Sequence, residues 1–176
     1  MIDIETLYWK FRVPENIRKH SIAVSKTGKF LAEKLEKSGK KVDVLAVETA
    51  CMLHDIDKIM TLDKMEGHGE IAGKEIESLG FKKIADCVRH HGLGSGDKLK
   101  SIGEKIVYYA DKRNEGEKPV TLEERMEGIL ERYAKNKKQE EDIRGLFRKA
   151  KKVEEDLFKV LPFRPEELNG EMENEG

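Results

Sequence analysis

The sequence predicts an all-α fold, a helical bundle with extra helices at its C-terminal end. Apolar residues recur at spacings of three and four along most of the 176-residue chain, which is the periodicity of amphipathic helices. No alternation typical of a β-strand is sustained beyond about five residues. The four prolines, at positions 14, 119, 162 and 165, all stand where a helix can begin or end.

The composition indicates a solvated surface rich in ion pairs. Charged residues form 39 % of the chain, against about 25 % in an average soluble domain. The 34 basic and 35 acidic residues nearly cancel, which argues against a polyanion-binding protein and makes nucleic acid an unexpected partner. With two cysteines, no long apolar run and no signal-peptide pattern, we expect a cytoplasmic protein without disulfides or a membrane partner.

The periodic segments place the core of the bundle in residues 14–115. We predict helices over residues 14–37, 43–56, 68–79, 81–91 and 99–113. Pro14 stands at the favoured first turn of the first helix. Gly39, Gly80 and Gly92 follow the ends of the first, third and fourth helices, as expected for helix termination.

Further helices are predicted outside this core, within residues 121–160. Thr121 and Glu124 form a capping box for a helix that runs to about residue 135, and a charged helix over residues 137–160 follows. We expect residues 1–165 to form a single domain. The acidic segment 166–176, with five glutamates and no basic residue, is expected to fray or stay disordered.

Histidines and aspartates collect on the inward faces of the predicted helices. His20 lies on the apolar stripe of the first helix, and His54 and Asp55 end the second. His91 continues the stripe of the fourth helix, and Asp111 lies beside the apolar face of the fifth. Imidazoles and carboxylates that converge from different helices form metal sites in helical bundles. Mixed nitrogen and oxygen ligands suit divalent Mn, Fe, Co, Ni or Zn, and suit Mg less well.

Five motifs accompany these residues in a definite order. They are HSIAVSKTGKFLAEKL from His20, LHDIDK at 53–58, GHGEIAG at 67–73, VRHHG at 88–92 and EKIVYYADKR at 104–113. In this combination, over about residues 14–135, the chain resembles the HD superfamily of metal-dependent phosphohydrolases. Within that superfamily the pattern is most similar to HDIG-type members, namely small archaeal HD proteins and bacterial diadenosine-tetraphosphate hydrolases.

The resemblance implies a centre with two divalent metal ions. Its first ion would have four ligands: His20, His54, Asp55 and Asp111. The second ion would be held by His68 and His91, with Asp55 bridging the pair. His91 is preferred to its neighbour His90 because it continues the helical stripe, from which His90 is turned by about 100°.

The resemblance also implies groups that act on the substrate. Asp55 and Lys58 are the predicted catalytic residues, the lysine adding a positive charge beside the phosphate. Lys58, Arg113 and His90 are the predicted substrate contacts, and Arg113 is included because it follows Asp111 by two positions. For His90, a position behind the metal ligands and an ordinary surface position are the alternatives.

One residue departs from the pattern of the superfamily. The box reads His-Asp-Ile-Asp, where many relatives have glycine in the fourth place. Asp57 therefore adds a third carboxylate close to the predicted metals. Three roles are open for it: a surface residue, a hydrogen-bond acceptor behind the ligands, or a proton donor to the leaving group.

The function implied is metal-dependent hydrolysis of a phosphate ester or phosphoanhydride bond. The expected partner is a small phosphorylated substrate, such as a nucleotide. Two metals would lower the pKa of a bound water and neutralise the phosphoryl oxygens. Two alternatives stay open: an HD-type di-iron oxygenase, whose ligand set is similar, and a non-catalytic nucleotide-binding module with a structural metal.

Overall fold

The computed structural model describes residues 2–61 and 67–175, and in these the chain is mainly helical, which confirms the predicted all-α class. The α-helices are, in chain order, α1 (Ile4–Lys10), α2 (Glu15–Lys37), α3 (Val44–Leu53), α4 (Glu70–Ser78), α5 (Lys82–Arg89), α6 (Ile102–Lys112), α7 (Leu122–Tyr133), α8 (Lys137–Phe158) and α9 (Leu168–Asn174). A short antiparallel pair, β1 (Asn114–Glu115) and β2 (Lys118–Pro119), connects α6 to α7. None of the described helices combines the length and the apolarity needed to cross a lipid bilayer.

Capping side chains set the starts of several helices. Asp43 accepts a hydrogen bond from the Ala46 amide at the start of α3. Thr121 and Glu124 form the capping box predicted for α7. A second capping box, which the sequence analysis did not identify, joins Ser101 and Glu104 at the start of α6. Each cap satisfies backbone N–H groups that the first turn of a helix leaves without partners.

Helix α2 forms the centre of the bundle. Val24, Leu31 and Leu35 on its inner face are buried. The helix packs against α3 and α6; His54 and Asp55 directly follow α3, and Asp111 lies in α6. Helix α1 was not predicted; it covers one end of the core, where the Tyr8 hydroxyl donates a hydrogen bond of 2.7 Å to the Met52 carbonyl.

Three helices are shorter than predicted. Helix α3 ends at Leu53 and α5 ends at Arg89, whereas the sequence predicted ends at residues 56 and 91. Helix α4 begins at Glu70, after Gly69, whose φ of 81° is left-handed. Consequently four predicted ligands lie in the segments that flank the helices: His54, Asp55, His68 and His91.

A buried polar network attaches the C-terminal helices to this core. The side chain of Arg113, only 2 % exposed, donates to the Tyr109 hydroxyl at 2.6 Å and to the carbonyls of Val120 and Pro165. The Tyr109 hydroxyl in turn donates to Glu154 of α8 at 2.6 Å. A single guanidinium therefore connects α6, α8 and the segment before α9.

The acidic C-terminal segment differs from the expectation. Within the described residues it contains a short 3-10 turn, Pro165–Glu167, followed by α9; residue 176 of the segment lies outside them. Leu168 is fully buried in the hydrophobic core, and Lys34 of α2 forms an ion pair with Glu175 at 2.5 Å. Burial of one leucine and a nearby cation order a segment whose charge run had suggested disorder.

The network at Arg113 predicts a large effect on stability. Replacing Arg113 with alanine removes its hydrogen bonds and leaves the buried Glu154 without this cation, so we expect the free energy of unfolding to fall by about 3 kcal/mol or more. The matched control is Arg144→Ala, which removes an arginine side chain that is 40 % exposed on α8 and should change stability by less than about 1 kcal/mol. Urea denaturation of both variants gives the comparison, and equal effects would contradict the structural role of Arg113.

Candidate metal centre

A cluster of imidazoles and carboxylates lies between α2, α3 and α6. It brings together the six residues predicted as metal ligands: His20, His54, Asp55, His68, His91 and Asp111. Two subsets have ligand atoms all within 4.8 Å of one another: His20 with His54 and Asp55, and Asp55 with His68 and His91. Asp55 is the residue that the two subsets share.

The two oxygens of Asp55 face different subsets. Its Oδ2 lies 3.6 Å from Nε2 of His54 and 4.0 Å from Nε2 of His20. Its Oδ1 lies 2.9 Å from Nε2 of His68 and 3.5 Å from Nε2 of His91. A carboxylate placed in this way can bridge two cations, one on each side.

Backbone carbonyls hold three of the imidazoles in one orientation. Nδ1 of His20 donates to the Gly116 carbonyl at 2.8 Å. Nδ1 of His54 and Nδ1 of His91 donate to the carbonyls three residues earlier, those of Cys51 and Val88, at 2.7 and 2.6 Å. Because a carbonyl oxygen can only accept, each neutral ring keeps the lone pair of Nε2 directed at the cluster.

The same two hydrogen bonds explain why α3 and α5 end early. In a continuing α-helix the Cys51 carbonyl would accept from the amide of Asp55, and the Val88 carbonyl from the amide of Gly92. Each carbonyl instead accepts from the histidine ring that follows the helix. The helix therefore terminates where its histidine turns inward.

His68 is held by side chains rather than by the backbone. Its Nδ1 lies 3.1 Å from Oδ1 of Asp57 and 3.3 Å from the Thr61 hydroxyl. Asp57 is completely buried and also accepts from the amides of Gly69 and Ala72, at 3.1 and 2.9 Å. Of the three roles left open for Asp57, these contacts support the acceptor behind a ligand: it orients the His68 ring and caps the start of α4.

Asp111 closes the cluster on the side of α6. Its Oδ1 lies 3.2 Å from Nε2 of His20 and 3.6 Å from Nε2 of His54. Its Oδ2 accepts a hydrogen bond of 2.9 Å from Lys112, whose ammonium also donates to the His91 carbonyl and lies over the Tyr108 ring. Lys112 was not predicted from the sequence, because no periodic pattern distinguishes a buried lysine from the many solvated ones.

Neighbouring imidazoles and lysines keep the two carboxylates of the cluster ionised. Burial opposes ionisation of Asp55, but His54, His68, His91 and Lys58 together hold its pKa well below the usual range. Burial likewise opposes ionisation of Asp111, and Lys112 with the adjacent imidazoles lowers its pKa well below normal. The centre therefore presents two negative charges surrounded by imidazole nitrogens.

The corner at His68 attracts positive charge most strongly. Burial alone would lower the pKa of this imidazole, but Asp55 and Asp57 on its two sides raise the pKa to about 9. The neighbouring His91, fully enclosed, has a pKa lowered by burial. Nε2 of His68 and Nε2 of His91 lie 3.0 Å apart, so the protonated His68 ring can donate a hydrogen bond to the lone pair of His91.

The residues predicted as substrate contacts occupy three different environments. Lys58 lies at the cluster: its ammonium contacts Oδ2 of Asp55 at 2.6 Å, and its side chain is 44 % exposed. His90 points away from the cluster and pairs with Glu104 at 2.6 Å. Arg113 is not at the cluster either, because its donors are engaged by Tyr109 and the C-terminal segment, and this position does not support the predicted contact with a phosphate.

The donor set fits a divalent transition metal. Four imidazoles and two carboxylates converge, and Nε2 of His54 is a buried atom without a hydrogen-bond partner among the described residues. Imidazole and carboxylate ligands are usual around Mn, Fe, Co, Ni or Zn. The imidazole nitrogen that faces away from the metal is usually fixed by a carbonyl or by a second carboxylate. The residues present could hold two such ions.

Residues 17–115 match the family described as HD domain. The chain is also similar to Ribonuclease Y of Borreliella afzelii and of Borreliella burgdorferi, each 30 % identical over 109 residues, and to Ribonuclease Y of Borrelia garinii subsp. bavariensis, 29 % identical over 109 residues. Each alignment covers 60 % of this chain and 20 % of the relative, so the chain spans about a fifth of the length of the curated relatives it matches. No solved structure is significantly similar to it. Since the match extends over more than half of its residues, and the histidines and aspartates of its motifs meet in one cluster, the chain belongs to the HD domain family.

Proposed function

We propose that this protein is a metal-dependent hydrolase of phosphate ester or phosphoanhydride bonds in a nucleotide or a related small phosphorylated molecule. In this proposal the first divalent ion is held by four residues: His20, His54, Asp55 and Asp111. The second is held by His68 and His91, with Asp55 shared between the two ions. The preferred ions are Mn, Fe, Co, Ni or Zn.

The observation that carries the proposal is the placement of Asp55 between two groups of imidazoles. One of its oxygens faces His54 and the other faces His68, at 3.6 and 2.9 Å. A carboxylate shared in this way would hold two cations within reach of one phosphoryl group. When bound, such a pair lowers the pKa of a coordinated water and neutralises charge on the phosphoryl oxygens.

The surrounding side chains would position the substrate. Lys58 reaches solvent beside Asp55, so its ammonium can contact a phosphoryl oxygen as the substrate enters. His54 and His91 are buried and form the inner wall of the site. We infer that the substrate approaches from the side of Lys58 and His68, where the side chains are partly exposed.

The similarity to Ribonuclease Y favours hydrolysis of a phosphate bond over the alternative of an oxygenase. A ribonuclease cleaves phosphodiester bonds, and the aligned part of this chain includes the HD domain. Phosphodiesters therefore belong in the set of test substrates together with nucleoside phosphates and diadenosine tetraphosphate, which the resemblance of the motifs suggests.

The reaction is tested with the full chain stripped of metal and then reloaded. We expect the stripped protein to be inactive on bis-p-nitrophenyl phosphate and on a panel of nucleotides, and Mn²⁺ to restore turnover, because the residues alone cannot neutralise a phosphoryl group. Absence of metal-dependent turnover on every substrate would contradict the proposal. Oxygen uptake by the iron-loaded protein would indicate the oxygenase instead, and tight nucleotide binding without product would indicate the binding module.

The number of metal ions is tested by ligand substitution. We expect two ions per chain in the wild type, about one in His68→Ala, and loss of both in Asp55→Asn, because only Asp55 belongs to both subsets. The control is His90→Ala, whose ring contacts Glu104 and which should keep both ions. Metal analysis of the purified proteins gives the counts. Equal loss of metal from the His68 and His90 variants would argue against the second ion.

The role assigned to Asp57 predicts a selective weakening of the second ion. In Asp57→Asn the side chain can no longer supply two acceptor oxygens to Gly69, Ala72 and the His68 ring, so we expect the affinity for one of two ions to fall about 10- to 100-fold. Calorimetric titration with Mn²⁺ measures both affinities. Asp97→Asn, in an exposed loop, is the matched control, and an unchanged second affinity in Asp57→Asn would exclude the positioning role.

A further inference from the structure

Lys112 of α6 is a buried cation that contacts both halves of the proposed metal centre. The residue is only 3 % exposed, whereas lysines are almost always solvated unless a partner compensates their charge. Its ammonium donates to Oδ2 of Asp111 and to the carbonyl of His91, and it lies 4.2 Å from the centroid of the Tyr108 ring. Asp111 belongs to the ligand set of the first ion and His91 to that of the second.

The contact with Asp111 determines which carboxylate oxygen faces the cluster. Oδ2 accepts a hydrogen bond of 2.9 Å from Lys112. Oδ1 lies 3.2 Å from Nε2 of His20 and 3.6 Å from Nε2 of His54. With Oδ2 engaged, Oδ1 is the oxygen left for the proposed first ion. Hydrogen bonds of this kind, made to the far side of a ligand, orient it toward its metal.

The contact with His91 fixes a piece of backbone that no longer belongs to a helix. Helix α5 ends at Arg89, and the His91 ring occupies the Val88 carbonyl. The carbonyl of His91 itself is buried with its residue, and a buried carbonyl needs a hydrogen-bond donor. Lys112 is that donor. It therefore holds the main chain at a proposed ligand of the second ion.

Tyr108, one turn before Lys112 on α6, reinforces the same attachment. Residues four positions apart lie on one face of a helix. The Tyr108 hydroxyl donates to the Leu93 carbonyl at 3.1 Å, and its ring lies against the Lys112 ammonium. The segment after α5 is thus fastened to α6 at two points, and one of them, Lys112, also holds Asp111.

We propose that Lys112 is a positioning residue that couples the two halves of the metal centre, because one ammonium sets a ligand of each ion. This inference rests on the metal centre of the proposed function and deepens it by naming the residue that links the two ions. Asp57 differs in this respect: among the proposed ligands it contacts His68, which serves the second ion alone. Loss of Lys112 should therefore affect both ions, and loss of Asp57 only one.

The first test titrates the metal-free full chain with Mn²⁺ in a calorimeter. We expect Lys112→Met, which keeps the length and the apolar stem of the side chain, to weaken both affinities about 10- to 100-fold. Removal of a positive charge would by itself strengthen the binding of a cation, so the direction of the change separates positioning from simple repulsion. Unchanged or tighter binding in Lys112→Met overturns the proposal.

The matched control for this titration is Lys105→Met. Lys105 lies on the same helix, has a side chain that is 32 % exposed, and pairs with Asp156 of α8 at 2.8 Å. Both Mn²⁺ affinities should stay at the wild-type values in this variant. A loss in Lys105→Met equal to that in Lys112→Met would show that any lysine of α6 has the same effect, which overturns the assignment.

Backgrounds that hold a single ion separate the two halves of the inference. We expect His68→Ala to keep the first ion and His20→Ala to keep the second, because each removes a ligand of one subset. Adding Lys112→Met should weaken the remaining ion in both backgrounds. Weakening in only one of them would mean that Lys112 holds one ligand, and the proposed coupling would be wrong.

Urea denaturation of the metal-free proteins separates positioning from a purely structural role. A purely structural lysine would lower the urea midpoint in Lys112→Met and leave the Mn²⁺ affinities of the folded variant unchanged, and that result overturns the proposal. If circular dichroism shows that Lys112→Met does not fold, Lys112→Gln decides. Glutamine is neutral and one bond shorter, so it fits the same space without spanning both acceptors, and it should also weaken both ions.

These measurements do not depend on turnover. If the wild type binds two ions that Lys112→Met weakens together, yet hydrolyses no substrate, the proposed function fails while the role of Lys112 stands. A wild type that binds no Mn²⁺ overturns both.

Discussion

A carboxylate buried among imidazoles is the interaction on which the site depends. Asp55 is almost inaccessible to water, and an ionised group in such a place must be compensated by nearby positive or hydrogen-bonding partners. Four elements of the fold supply these partners: α2, the turns that follow α3 and α5, and the segment before α4. The packing of α2 against α3 and α6 forms the scaffold that brings these partners within a few ångströms of one carboxylate.

The fold class could be predicted, and so could the set of histidines and aspartates that the structure brings together, because both leave marks in the sequence. The helical period and the capping residues at Asp43 and Thr121 are local signals, and the structure shows both caps. The way in which each histidine ring is held could not be predicted, because local signals do not encode it. His91 was chosen as an extension of the stripe of α5, yet the helix ends before it and a hydrogen bond from its own ring turns it inward. The helical stripe that predicts an inward-facing His91 does not describe how its ring is held.

Longer-range contacts account for what sequence periodicity missed. Arg113 was expected at a phosphate because it follows Asp111 by two positions, but its environment is decided by Tyr109, Glu154 and a carbonyl of the C-terminal segment. Leu168 anchors a helix inside a run of glutamates, where composition alone indicates a solvated tail. Glu154 lies more than forty positions from Tyr109, and Pro165 lies more than forty positions from Arg113; such pairings have no local signature.

The carbonyl of Gly116 shows that the structural unit around the site is longer than the segment that matches the family. The recognisable family segment ends at Glu115, one residue before the acceptor that fixes the His20 ring. Gly116 has a left-handed φ of 58°, and the strand that follows it returns the chain to the bundle. A fragment cut at the edge of the family segment would contain every proposed ligand and still lack the group that sets the tautomer of one of them. The unit that could be transplanted between proteins with its metal chemistry intact therefore includes the hairpin as well as the helices.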